Sequence, residues 1–312
     1  MTASVEFLNG LSEFIAVTVR SATPLLIAGI GHLVMLRSGI VNIGVEGLML
    51  TWAFAGVIGT QYSGNAWIGV LAAGAAAGVG GLIFAYFTVT LAANQIVTGA
   101  AINTLAMGII STLERALFGI NVAPPQIAAF ENQAIPLLSR IPIIGPALFM
   151  HTALVYVAFA LVPVAHFMLF RTSIGLDMRS VGEYPKAADT VGIDVFAMRY
   201  AAIIVGAILS GMAGAYLSLG HLDFFTGNMI AGRGFIALAA VIFGKYSPLG
   251  TLGATLLFGA GSALQFRLQA TGSAIPQEFL IMVPYVLTIV TLLGLIGKST
   301  SPAALGRPYT KE

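Results

Sequence analysis

Two ionisable side chains stand where an apolar sequence has least reason to keep them. Glu46 opens one apolar run, in Asn42-Ile-Gly-Val-Glu-Gly-Leu-Met-Leu, and Arg233 opens another, in Asn228-Met-Ile-Ala-Gly-Arg-Gly-Phe-Ile-Ala-Leu. A charge among apolar residues is costly and turns toward a bundle interior, a cavity or an opposite charge. The two could pair; a structural pair and a substrate-contacting pair fit the sequence equally. Uncharged donors and acceptors gather nearby: Asn42, Asn94, Gln95, Thr98, Asn103 and Asn228. Such groups can hydrogen-bond a neutral, polyhydroxylated solute, and they can equally bond helix to helix. Phe224 and Phe225, after Asp223, could face a planar base or sugar ring at an outer mouth, or anchor the chain at the membrane interface.

These groups are embedded in 312 residues that are 58% hydrophobic and 8% charged, with a mean hydropathy of +0.94. Soluble domains carry about a quarter charged residues, so lipid is the expected solvent. The net charge of +2 gives no reason to expect nucleic acid, and the absence of Cys removes disulfides and thiolate chemistry. His32, His151, His166 and His221 lack metal-ligand spacing. No H-E-x-x-H or G-x-S-x-G motif and no paired intramembrane carboxylates suggest an enzyme. The first residues show no basic region of a cleavable signal, so the first span is expected to be retained.

A span needs about 20 apolar residues. Stretches occur at roughly 12–36, 41–62, 67–89, 95–116, 148–170, 197–220, 233–244, 248–266 and 279–297. The expected fold is an all-α, polytopic bundle of about eight to ten transmembrane helices in a single domain, 1–312. Small residues spaced four apart (Gly74 and Gly78; Gly206, Ser210 and Gly214) predict tight helix packing. Of the two long connections, 117–147 is Pro-rich, with Pro124, Pro125, Pro136, Pro142 and Pro146. The other, 171–196, holds Arg171, Asp177, Arg179, Glu183, Lys186, Asp189 and Asp194. Placing 171–196 in the cytoplasm brings Arg37, Arg199, Lys245, Lys298, Arg307 and Lys311 to the same side, with Arg140 and Arg267 outside. The N-terminus is then outside and the C-terminus inside.

The Asn42 and Asn228 segments each follow a long span, and those two spans run in opposite directions. They suggest an inverted repeat, about 12–116 and 197–297, of the kind that builds a central site from Gly-interrupted helices.

Within 171–196, Pro185 suits the first turn of a helix. Lys186 to Val191 can complete a turn or two, Gly192 can end it and Asp194 can cap the next span. The result is a short polar helix across the cytoplasmic face. The segment Arg179-Ser-Val-Gly-Glu-Tyr-Pro-Lys-Ala-Ala-Asp-Thr-Val-Gly-Ile resembles the coupling-helix region of ABC importer permeases, in the form VGENPxAAxxxGI. That form is typical of permeases for branched-chain amino acids, ribose-type sugars and nucleosides. Arg37-Ser-Gly-Ile-Val-Asn-Ile-Gly-Val-Glu-Gly and Gly232-Arg-Gly-Phe-Ile-Ala-Leu are similar to the simple-sugar and nucleoside branch. Tyr184 departs from the pattern, which has Asn there.

The resemblance implies a multi-pass permease in a bacterial inner membrane. It implies a homologous or identical second permease, a cytoplasmic ATPase and an external solute-binding protein as partners. ATP and Mg would sit on the ATPase and no cofactor on this chain. The ATPase would grip Glu183, Pro185, Lys186, Ala187, Ala188, Asp189 and Gly192. The substrate path would involve Asn42, Glu46, Asn94, Gln95, Asn103, Phe225, Asn228 and Arg233. A nucleoside is the favoured solute, then a simple sugar, with a branched-chain amino acid as the alternative in the same class. An ion-coupled secondary transporter is the alternative outside it, with Glu46 as its carboxylate. Gly297-Lys298-Ser299-Thr300 resembles the end of a phosphate-binding loop but has Leu292 where the motif needs Gly.

Overall fold

A computed structural model describes residues 2–119, 127–270, 276–294 and 300–311. Pro124, Pro125 and Gly297-Lys298-Ser299 lie outside them. Every apolar stretch is helical: α1 Thr2–Arg37, α2 Val45–Ser63, α3 Ala66–Ala85, α4 Gln95–Phe118, α6 Ala153–Arg171, α9 Val195–Tyr216, α10 Arg233–Phe243, α11 Pro248–Ala270 and α12 Gln277–Gly294. Between them lie α5 Ile144–Leu148, α7 Ser173–Glu183 and α8 Pro185–Thr190. α3 and α9 continue into π-helical turns, Tyr86–Thr90 and Leu217–His221. Among the described residues, α1, α3, α4, α6, α9 and α11 are long and apolar enough to cross a membrane. With 11 residues, α10 rises only about 16 Å, roughly half a hydrocarbon core.

Two boundaries differ from the sequence reading. The stretch at 148–170 starts its helix only at Ala153, because Met150–His151 pairs antiparallel with Gln133–Ala134 in a two-residue hairpin. Residues 173–183, read as loop, form the 11-residue helix α7. Gly175, Met178, Val181 and Gly182 are its buried face, a helical period hidden in the sequence by Gly, Ser and charges.

Packing is exchanged between the two halves: α3 and α2 lie along α9, while α11 and α10 lie along α1. Small residues permit this. A Cβ on Gly206 would stand 2.7 Å from the Gly31 carbonyl oxygen, and one on Gly214 would collide with the Met49 carbonyl. Gly74 and Gly78 depart from the expectation. Their nearest neighbours are Ile208 carbons at 3.8 and 3.9 Å, an ordinary contact, and on α3 the close approaches are made by Gly69, Gly80 and Gly81.

The contacts sort the connections to two ends of the bundle. At one end Ser12 donates to the Ile143 carbonyl, Arg267 to Gly10, and Trp67 packs edge-on to Phe130. At the other, Arg37 donates to the Tyr246 carbonyl, and residues 303–311 bond to Gly39, Gly182, Glu183 and Asp189. The second end is the one expected in the cytoplasm from its basic residues.

Candidate functional site

The chain doubles back after α1, and α2 starts beside the body of the bundle. His32 Nε2 lies 3.2 Å from the Asn42 carbonyl oxygen, which holds the turn against α1. From the other side, residues 222–232 return from the end of α9, with Asp223, Ala231 and Gly232 at positive φ. There α10 begins, and its N-terminus meets that of α2.

Glu46 joins them. It sits in the first turn of α2, and its Oε1 accepts from Gly232 N at 2.6 Å and its Oε2 from Gly234 N at 2.8 Å. A helix N-terminus carries unpaired N–H groups and partial positive charge, so a carboxylate is its natural cap. The approach leaves no room: a Cβ on Gly234 would stand 2.8 Å from Glu46 Oε2. Arg233 does not reach Glu46 by a hydrogen bond or ion pair among the described residues. Its Nη1 donates back to the carbonyls of Met229 and Ile230, at 2.8 and 3.2 Å. The two charges are near enough to attract each other, while their hydrogen bonds go to the α10 amides and the returning carbonyls.

The amides converge on the segment that leads into α2. Gln95 Oε1 accepts from Val41 N at 2.7 Å and Asn42 Oδ1 from Gly44 N at 2.8 Å. Asn103 accepts from Gly47 N at 2.7 Å and donates to the Ile43 carbonyl at 2.9 Å. Asn94 caps α4, accepting from Ile96 N and Val97 N. Asn228 is exposed on the returning segment. Phe225 is not at an exposed mouth: it is 2% exposed and packs edge-on to Phe54, leaving Phe224 as the accessible ring.

Next to this junction is a cavity of about 210 Å³ bounded by α1, the turn after α9, α10, α11 and α12. Ser21, His221, Arg233, Gln265 and Tyr285 give it polar walls. Ser21, Gln265 and Tyr285 escaped the sequence reading, since each is a polar residue on a separate apolar helix, and His221 stood there only as a histidine without metal-ligand spacing. The fully buried residues of α4 are Gln95, Gly99, Ala106 and Ile110, with Ile102, Asn103 and Phe118 packed beside them. Its open side carries Thr104, Gly108, Ser111, Thr112 and Arg115, one stripe at helical spacing.

The charged segment is built as its residues suggest. Pro185 is the first residue of α8, Gly192 has φ +90, and Asp194 Oδ1 accepts from Ala197 N at 2.9 Å. Tyr184 precedes α8 and supplies no side-chain cap, which Asn at that position could. Ala188 is buried, whereas Glu183, Lys186, Ala187 and Gly192 face outward. Tyr184 and Val191 are 70% and 75% exposed, one at each end of a helix outside the membrane-spanning segments. Behind them, Phe170 lies between the guanidinium groups of Arg37 and Arg179, at 5.5 and 5.1 Å.

Residues 14–292 match the family model described as branched-chain amino acid transport system / permease component. The guanosine ABC transporter permease protein NupQ of Bacillus subtilis is 39% identical over 96% of this chain and 97% of its own. The nucleoside ABC transporter permease protein NupC of Lactococcus lactis is 37% identical over 97% of this chain and 98% of its own. The putative glucose ABC transporter permease protein TsgC13 of Haloferax volcanii is 34% identical over 95% and 96%. With its apolar helices, its half-length α10 and its exposed α8, the chain belongs to the branched-chain amino acid transport system permease family: it is a multi-pass membrane transport subunit and not an enzyme.

Proposed function

We propose that this chain forms the translocation path of an ATP-driven importer for nucleosides. The observation that carries the reading is α8. A chain this poor in charge builds a helix outside its membrane segments and leaves Tyr184 and Val191 bare at its two ends, which is a docking surface for another protein. The partner is a cytoplasmic ATPase, which holds ATP and Mg. A solute-binding protein delivers from the outside, and a second, homologous or identical permease covers the open side of α4. The membrane is the bacterial inner membrane. The exchanged packing of α1–α3 and α9–α11 supports the inverted-repeat reading.

The solute reading follows the guanosine and nucleoside relatives, and a simple sugar is second through the glucose relative. Both solutes are neutral and rich in hydroxyls, matching the hydroxyls of Thr104, Ser111 and Thr112 on the open side of α4 and the exposed Asn228. Asn42, Asn94, Gln95 and Asn103 then act by holding the loop into α2 and the start of α4, with Glu46 and Arg233 shaping the helix-end junction beside the path. An ion-coupled carrier would need Glu46 free to exchange a proton, and both its oxygens accept from α10.

Docking through α8 is tested by Ala187→Trp. Ala187 is exposed and helical, so the change leaves the fold intact while filling the contact. Gly192 is the poorer choice, since any side chain at φ +90 adds backbone strain. The expected result is normal insertion and at least about a tenfold fall in substrate-stimulated ATP turnover, or about 1.4 kcal/mol in the activation barrier. Normal stimulated turnover would refute docking at this surface.

A further inference from the structure

The segment that follows α12 is bound to the bundle. After α12, residues 300–311 run across the same end of the bundle as α7 and α8, with Pro302, Ala304 and Tyr309 buried and Ala303, Arg307, Pro308, Thr310 and Lys311 exposed. Terminal segments fray unless something ties them down, and this one is tied at each step. Ala304 N donates to the Gly182 carbonyl at 3.0 Å, and two residues on Gly306 N donates to the Gly39 carbonyl at 2.9 Å. Ala303 N donates to Glu183 Oε2 at 3.1 Å, and Lys311 Nζ meets Asp189 Oδ1 at 3.2 Å. Tyr309 fills a cluster with Val181, Ala188 and Val195, its ring edge-on to Phe196.

Apart from Val195 and Phe196 of α9, which pack on Tyr309, these partners fall into two groups. Gly182, Glu183, Ala188 and Asp189 belong to α7 and α8. Gly39 belongs to the loop that leads through Asn42 to Glu46. The segment is therefore a strap between the docking helices and the loop that enters the helix-end junction. It runs close over Gly39, where a side chain would be strained: Gly39 has φ +86, and a Cβ there would stand 3.3 Å from the Ala304 carbonyl oxygen. A Cβ on Gly182 would collide with the Arg37 carbonyl, so α7 also touches the end of α1 directly.

A buried charge marks the same place. Arg199, near the start of α9, is 1% exposed. Among the described residues its one hydrogen bond is from Nη1 to the Arg307 carbonyl at 3.1 Å, and its Nε and Nη2 have no partner. A buried guanidinium needs every acceptor it can reach. Here the acceptor is the backbone of the strap, and Gly39 lies on its other side, with a Cβ position 3.3 Å from Nη2.

We propose that residues 302–311 are a coupling strap: they tie α7 and α8 to the loop 38–44, so that movement imposed on α8 is carried to the junction of α2 and α10. The proposal rests on the reading of α8 as the ATPase-docking helix. In it, the strap positions and transmits without touching the solute. Alternation of buried and exposed residues along it lets it hold α8 from behind while leaving Tyr184, Ala187 and Val191 free to meet the ATPase.

The test uses the full transporter, with its ATPase and binding protein, in proteoliposomes. One variant stops after Ser301; a second, Tyr309→Ala, keeps the chain length should the truncation fail to insert. ATPase retained on the purified permease reports docking, and tritiated guanosine taken up per ATP hydrolysed reports coupling. The strap predicts unchanged docking and unchanged basal ATP turnover, with uptake per ATP falling at least tenfold in the truncation and severalfold in Tyr309→Ala. A purely stabilising tail would lower the amount of complex and leave uptake per ATP at the native ratio. That outcome overturns the proposal, as does any variant with raised uptake, which would make the tail an inhibitory clamp. Ala187→Trp separates the two readings. If it uncouples and the strap variants do not, only the strap fails; if it has no effect on docking or coupling, the reading of α8 itself fails.

Discussion

Glu46→Gln is expected to lower solute uptake at least about tenfold. The carboxylate accepts from two N–H groups at the start of α10, at 2.6 and 2.8 Å. Hydrogen bonds to a charged group contribute about 1.5–3 kcal/mol each. Glutamine has one acceptor where two are needed, and its amide nitrogen would place a donor against a backbone donor. One bond is lost outright, and an α10 amide is left unpaired in an apolar setting, at a further cost of about 1–3 kcal/mol. Glu46→Asp should also fail, because the side chain is one methylene short of spanning two helix ends. The defect should appear as loosened α2–α10 contact: protein inserts, but uptake falls and protease sensitivity of the 222–232 segment rises. A Glu46→Gln protein with native expression and native uptake would contradict the junction described above.

Gly214→Val is expected to abolish the folded protein, not merely its transport. Gly214 is buried on α9 where α2 crosses, facing the Met49 carbonyl. Overpacking costs about 1–3 kcal/mol where side chains can adjust. Here the obstacle is backbone on both sides, so α9 and α2 must separate, and the packing that drives helix association in lipid is lost. Gly74→Ala is the matched control. It lies in a segment that reads as equally tight, yet its Cβ would rest 3.8 Å from Ile208. Fluorescence-detected gel filtration should show Gly74→Ala eluting as the parent and Gly214→Val aggregated. Equal behaviour of the two would refute the packing.

That contrast shows what the sequence could and could not carry. Apolar runs report spans directly, because lipid demands them. Pro185, Gly192 and Asp194 report the edges of α8 because each acts locally, through a missing N–H, a positive φ and a capping oxygen. Partnership across the bundle is not local. Gly74 and Gly69 lie on one helix, yet only Gly69 meets backbone. Asn42, Gln95 and Asn103 have the chemistry to bind a solute, and their bonds go to residues 41–47 because that backbone comes back beside them. The same holds for Glu46 and Arg233, which opposite charge alone would join. The cavity walls Ser21, Gln265 and Tyr285 come from three distant helices and carry no common motif. α7 was hidden for another reason: four buried positions among small and charged residues look like loop until a surface is there to cover them.

As the passive half of an ATP-driven nucleoside importer, this chain should carry solute only when its ATPase turns over. The most direct measurement is tritiated guanosine uptake into proteoliposomes holding the permease with its ATPase and binding protein. Uptake is expected to require internal-face ATP, to be abolished by vanadate, to be unchanged by a protonophore, and not to be competed by glucose or leucine. Uptake that persists with vanadate and collapses with the protonophore would contradict it.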